Sequence, residues 1–259
     1  MNPYNVKEGV FMNLNNLIIK KINSLVEKSN KTTKYRKPLV GFADANHPDF
    51  KDLKNIAASN HYLPSDLLID GVSVVSFFLP FTEELVAINK NHHYISKEWA
   101  IAYVETNNFI DEIIVDIGVF LGTRGIKCSS NPARESFDKN MLMHRWSQRH
   151  VARICGLGNF GINNMLITKS GCAGRYGSFV INVPLEYDAP CVEDYCLYKR
   201  NGSCRTCVDA CPTGALKVEG FDRHKCYAWL KETDNYYSDL DECQVCGKCI
   251  TVPCAFRIP

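Results

Sequence analysis

The chain has 259 residues, 46% hydrophobic and 22% charged, with 30 Lys plus Arg against 28 Asp plus Glu for a formal net charge of +2. That size suits one or two globular domains, and the near-balance of charge excludes the strong positive footprint of a dedicated nucleic-acid binder. No apolar run approaches the ~18–20 residues that cross a bilayer, and Met1-Asn2-Pro3-Tyr4-Asn5 has none of the parts of a signal peptide, so a cytoplasmic protein with no membrane partner is expected.

Phe11, Leu14, Ile18, Ile22 and Leu25 recur every three or four residues and predict an amphipathic helix. Residues 28–37 hold five basic side chains, no acid and no periodicity, and read as a solvated connection. Residues 39–43 and the nearly continuous apolar run 72–79, closed by Pro80, predict buried strands. Ser96 offers an N-cap hydroxyl to a long helix striped by Trp99, Tyr103, Ile110, Ile113, Ile114, Ile117 and Leu121, and Gly122 and Gly125 end it. A further helix is predicted from about 140 to 155, then strands at 165–168 and 178–183. Helices and strands alternate, which gives an α/β layered domain over residues 1–185.

Cysteine divides the chain. Of 13 residues, only Cys128, Cys155 and Cys172 precede residue 190, and ten lie between Cys191 and Cys254. A reducing compartment argues against a disulfide framework. Two runs stand out: Cys204-x-x-Cys207-x-x-x-Cys211-Pro212, and Cys243-x-x-Cys246-x-x-Cys249 followed by Cys254. Each Cys-x-x-Cys grips one centre from a single turn, while the later Cys-Pro serves a second centre, as in two-cluster ferredoxins. A Cys-four zinc site fits two Cys-x-x-Cys pairs equally well. The Cys-Pro and the surplus of thiols decide for two 4Fe–4S clusters in residues 186–259. The first run has Asn201 where a cysteine belongs. Cys191 and Cys196 both lie upstream, and Cys196 is the nearer replacement. Cys226 reads as a ligand or a small buried apolar residue, with Cys243 its competitor.

Gly156-Leu-Gly158-Asn159-Phe-Gly161 matches the dinucleotide fingerprint as a string, but it follows a helical segment and leads into a strand. A phosphate-binding loop has the opposite order, so nicotinamide binding is rejected and a helix C-terminal turn preferred.

The residues from Gly156 to Ile167, then Gly171-Cys-Ala-Gly174-Arg175-Tyr-Gly177-Ser178, resemble the core of the epoxyqueuosine reductase family. Cys204 through Cys211-Pro212-Thr213-Gly214-Ala215, the lone Cys226, and Cys246, Cys249 and Cys254 follow in that family's order over about residues 140–254. The resemblance implies an α+β protein: an N-terminal α/β layered, nitroreductase-like domain (1–185) holding a substrate or corrinoid, and a C-terminal ferredoxin-like module (186–259). It implies one cluster on Cys196, Cys204, Cys207 and Cys254, and another on Cys211, Cys226, Cys246 and Cys249. The expected activity is that of an iron–sulfur reductase passing electrons to a cobalamin or substrate, supplied by a donor such as ferredoxin or flavodoxin. Corrinoid reductive dehalogenases share this arrangement. Gly156, Gly158, Asn159, Gly161, Gly171, Arg175 and Ser178 are the expected cofactor-binding residues, with Arg175 contacting an anionic group. The family's proton-donating Asp falls on Leu142 here, which makes Asp138 and His144 the candidate proton carriers, followed by His150. The chain ends at Pro259 without the extension that helps the family dock tRNA, and with its low net charge tRNA is not expected as a partner. A ferredoxin-like carrier without its own substrate, and a corrinoid-reducing or delivery protein, are the competing readings.

Overall fold

The computed structural model describes residues 8–132 and 136–259, with side chains from residue 14 onward. The first predicted helix forms as α1 (Glu8–Glu27), burying Leu14, Ile18 and Ile22; the side chain of Phe11 lies outside the described residues. Strand β1 (Leu39–Asp44) follows, then the short helices α2 (Asp49–Ile56) and α3 (Pro64–Leu67), then β2 (Ser73–Pro80). Next come α4 (Glu83–Asn91) and the long α5 (Lys97–Gly122), whose first turn is capped by the Ser96 hydroxyl accepting from the Trp99 N–H at 3.2 Å.

The helix predicted over about 140–155 forms only in its second half. Residues 137–144 form a hairpin of β3 (Phe137–Asp138) and β4 (Met143–His144), and α6 begins only at Gln148 (Gln148–Ile154). The Asp138 carboxylate accepts from the N–H groups of Asn140 and Met141 at 2.9 and 3.0 Å, and Leu142 adopts a φ of 51°. A side chain that captures the turn's own N–H groups, beside a left-handed residue, stops a helix from running through. A second hairpin joins β5 (Gly158–Phe160) to β6 (Leu166–Thr168), before β7 (Gly174–Ile181).

The sheet has the order β1–β2–β7, and both pairings are antiparallel. Alternating helices and strands give the predicted layers but not the parallel direction such alternation commonly carries. Central β2 is buried along its whole length, which explains its unbroken apolar run. One face packs Val75, Phe77, Leu79, Phe179 and Ile181 against α1 and α5. The other packs Val74 and Val180 against α2 and α6.

The cysteine-rich segment contains α7 (Leu197–Asn201), α8 (Thr206–Asp209), a hairpin of β8 (Leu216–Lys217) and β9 (Gly220–Phe221), and α9 (Arg223–Tyr236). Two 3-10 turns follow, Lys248–Ile250 and Pro253–Ala255. Trp99, Ala100 and Ala102 of α5 share a core with Cys196, Tyr237, Cys243, Val245, Ile250 and Ala255. The basic loop at 28–37 is more than a solvated connection. Its Arg36 donates to three carbonyls, Phe81 at 2.8 Å, Phe256 at 3.0 Å and Ser170 at 2.6 Å, and so ties the sheet to the cysteine-rich segment. Among the described residues no helix is long and apolar enough to cross a membrane.

Candidate functional site

The thiols fall into two adjoining groups. Cys196, Cys204, Cys207 and Cys254 line one cavity, walled by Ile162, Ile167 and Val252. The Cys207 thiol is pushed up to about 12, first by burial and then by the sulfurs of Cys254, Cys196 and Cys204. Cys226 is pushed up to about 11 by burial and then by Cys246 and Cys211. Cys249 is raised by burial, then by Cys246, Cys226, Cys207 and Cys211, so it stands where the groups meet. Cys211 goes the other way: burial raises it, but the N–H of Leu216, 3.5 Å from its sulfur, and the Thr213 hydroxyl outweigh that. Crowded buried thiols do not ionise unless a metal centre compensates them. Cys207 and Cys211 flank one helical turn yet join different groups, as do Cys249 and Cys254.

The remaining thiols of this segment point elsewhere. The Cys243 sulfur faces the Ala100 carbonyl at 3.8 Å, and its N–H donates to Asp234 at 2.6 Å. Cys191 lies beside the Glu193 carbonyl and Tyr195. Trp229 Nε1 is buried without a partner in hydrogen-bond geometry and lies next to the Cys246 sulfur.

Two residues at this junction escape sequence reasoning. Cys172 is fully buried with its sulfur 3.7 Å from that of Cys254, and Asn163 donates through Nδ2 to the Cys249 carbonyl at 3.0 Å. Both sit in segments whose motif is visible, but no spacing rule links residue 172 to residue 254.

The N-terminal candidates are scattered. Gly156 does supply a helix C-terminal turn, with a φ of 75°. The space a Cβ would take at Gly156, Gly158, Gly161 and Gly171 is filled by Ala189 O, Ile167 O, Asn163 Oδ1 and Ala255 O. These glycines admit neighbouring protein, not a planar ligand. Asn159 donates to the Glu193 carbonyl at 3.1 Å, and buried Ser178 donates to Gln148 at 2.6 Å while accepting from Trp146 at 2.8 Å. Arg175 differs. Its guanidinium lies 4.3 Å over the Tyr103 ring, and its Nε is buried with no acceptor. Arg149, held by the Asn164 carbonyl at 2.7 Å, acts on both Arg175 and Cys249 through its charge.

Asp138 and His144 sit together on the β3–β4 hairpin, with Phe137 the register partner of His144. The Met141 and Asn140 N–H groups hold the Asp138 carboxyl below the usual range, so it is ionised at neutral pH and not a proton donor there. His150 is pushed down to about 4, by burial first and then by Arg149, and its Nδ1 is 2.7 Å from the Ser147 hydroxyl.

An antiparallel sheet layered between helices is joined to two groups of thiols in the cysteine-rich segment. The chain is homologous to epoxyqueuosine reductases and has their mixed helix-and-strand fold. The enzyme from Bacillus subtilis (strain 168) is 36% identical over 119 residues, which are 41% of this chain and 28% of the relative. That from Leadbetterella byssophila is 29% identical over 188 residues, 66% of this chain and 53% of the relative. The chain thus spans about half, or less, of the curated relatives it matches. A crystal structure of selenomethionine-labelled epoxyqueuosine reductase aligns with TM-score 0.60 at 19% identity, over 94% of this chain and 66% of the other. A second, with an epoxyqueuosine-modified tRNA-Tyr stem loop, aligns with TM-score 0.56 at 20% identity, over 86% and 58%. The catabolic reductive dehalogenase NpRdhA, K488Q variant, aligns with TM-score 0.51 at 17% identity, over 73% and 26%. No family model matches.

The stem-loop complex overturns the expectation that tRNA is no partner, since a protein of this fold holds one. A net charge of +2 is an average over the whole chain and does not speak to local basic segments such as residues 28–37.

Proposed function

We propose that the chain is an iron–sulfur reductase, with a nitroreductase-like α/β layer (1–185) joined to a ferredoxin-like module (186–259). One observation carries this reading: the two groups of four thiols, each drawn from both cysteine runs. Cys196, Cys204, Cys207 and Cys254 would hold one 4Fe–4S cluster, and Cys211, Cys226, Cys246 and Cys249 the other. The residues fit such centres. The first four thiols line one cavity, and the buried Trp229 N–H next to the Cys246 sulfur suits a charged sulfur ligand.

Clusters bound there supply single electrons at low potential. The protein's own part is to hold and shield. Apolar walls exclude water, Leu216 N–H orients the Cys211 sulfur, and Asn163 braces the Cys249 backbone. Arg175, whose guanidinium lies over the Tyr103 ring, is the cation that would contact an anionic group of the electron acceptor. The glycines expected to hold a corrinoid do not fit one, because protein fills the space they open. The acceptor is a small molecule, a corrinoid bound elsewhere on this surface, or a modified base in tRNA, and the donor is a ferredoxin or flavodoxin.

Anaerobic purification with iron and sulfide quantified tests the reading, with about eight of each expected per chain for two 4Fe–4S clusters. Zinc, or no inorganic sulfide, overturns it. Reduction of an added acceptor without a partner protein then separates an enzyme from an electron carrier. Cobalamin spectra and stem-loop anisotropy identify the acceptor class.

A further inference from the structure

We propose that Cys172 is a positioning residue that donates an S–H···S hydrogen bond to Cys254 and thereby raises the reduction potential of one of the two centres. The inference rests on the reading above, that Cys196, Cys204, Cys207 and Cys254 hold a 4Fe–4S cluster.

Main-chain geometry fixes the pair. The Cys172 N–H donates to the Cys254 carbonyl at 2.9 Å, and the Ala173 N–H donates to the Ala255 carbonyl at 3.1 Å. These two bonds lay the turn after β6 alongside the 3-10 turn that carries Cys254, and the sulfurs stand 3.7 Å apart. Cys172 is not among the residues lining the cavity that Cys254 lines, so it supports the ligand from behind.

Direction comes from Asn163. Its Oδ1 accepts from the Met165 N–H at 3.2 Å, which turns Nδ2 toward the Cys249 carbonyl at 3.0 Å and the Cys172 sulfur at 4.0 Å. An amide NH₂ only donates. Cys172 therefore receives from Asn163, and its one proton is left for Cys254. Cys172 is 0% and Asn163 only 6% exposed, so water does not compete for the Cys172 sulfur. A hydrogen bond to a ligand sulfur draws charge from the cluster and favours its reduced form, which raises the potential.

The test is a redox titration followed by electron paramagnetic resonance on anaerobically purified wild type, Cys172→Ala and Cys172→Ser. With the iron count unchanged, Cys172→Ala is expected to shift one centre to more negative potential. At the potential where half of that centre is reduced in wild type, its reduced-to-oxidised ratio falls several-fold, and the other centre does not move. Cys172→Ser keeps a donor and restores most of the shift, which a purely structural role would not require. Unchanged potentials in Cys172→Ala with full iron overturn the inference and leave the cluster reading intact. Loss of half the iron in Cys172→Ala and Cys172→Ser alike also overturns it, by making Cys172 a ligand. Wild type without sulfide removes the cluster reading, and this inference with it.

Discussion

The Ala255 carbonyl oxygen occupies the space in which a Cβ on Gly171 would stand, and Gly171 has a φ of 80°. Close approach and left-handed backbone both demand glycine here. Gly171→Ala is expected to cost about 2–4 kcal/mol of stability. A lowered midpoint in anaerobic thermal unfolding checks it, together with faster release of iron to a chelator, because the same contact seats Cys254.

Single thiol substitutions should divide into two classes. Cys207→Ala or Cys226→Ala is expected to lose about half of the iron, since each removes a ligand from one four-thiol centre. Cys243→Ala keeps the full iron content and costs about 1–2 kcal/mol for the small cavity it leaves against α5. Iron and sulfide per chain, measured beside the unfolding midpoint, distinguish the two.

Arg36 satisfies three carbonyls with one planar fork, and its guanidinium lies 5.5 Å over the Phe256 ring. Arg36→Met leaves those acceptors unpaired and is expected to cost about 2–4 kcal/mol. Arg36→Lys does not restore it, because an ammonium cannot reach three diverging acceptors at once. Chemical unfolding of the two variants against wild type checks both statements.

Stability should fall on mild acidification through His150. Its native pKa of about 4 lies below the ordinary 6.5, because burial and then Arg149 disfavour the charged ring. Between those values the unfolded chain binds the extra proton, so the contribution is complete above about pH 6.5 and is lost as pH falls toward 4. Its size is about 2 kcal/mol after allowance for partial exposure. His150→Gln should flatten the stability profile over that window in unfolding measurements at pH 5 and 7.5. His61 adds a slope of the same sign: burial lowers it, and its Nε2 must stay unprotonated to accept from the Ser147 N–H at 3.0 Å.

What the sequence makes legible follows the reach of each interaction. The α5 stripe and its Ser96 cap are local, and so is the apolar run of β2; all three form where residue spacing places them. The hairpin at 137–144 was hidden because Met141, Leu142 and Met143 form a short apolar run that periodicity cannot assign to helix or strand, while the deciding contact is the Asp138 side chain on its own turn. Antiparallel pairing of Pro80 with Gly174 joins strands about ninety residues apart, beyond any periodicity. The cysteine runs announce their chemistry locally. The glycines mislead for the opposite reason: a residue without a side chain signals a close approach, but not what approaches. Cys172 and Arg36 acquire their roles only from segments 82 and 220 residues further along.

The strap between residues 170–173 and 254–256 also sets a timetable. Neither four-thiol group can close before Cys249 and Cys254 have left the ribosome, so both groups assemble after the residues of the sheet have emerged. Until then Trp99, wholly covered in the finished fold, has none of its C-terminal neighbours Cys243, Val245 and Ile250. A nascent chain paused before residue 243 presents that indole surface to whatever chaperone is at hand.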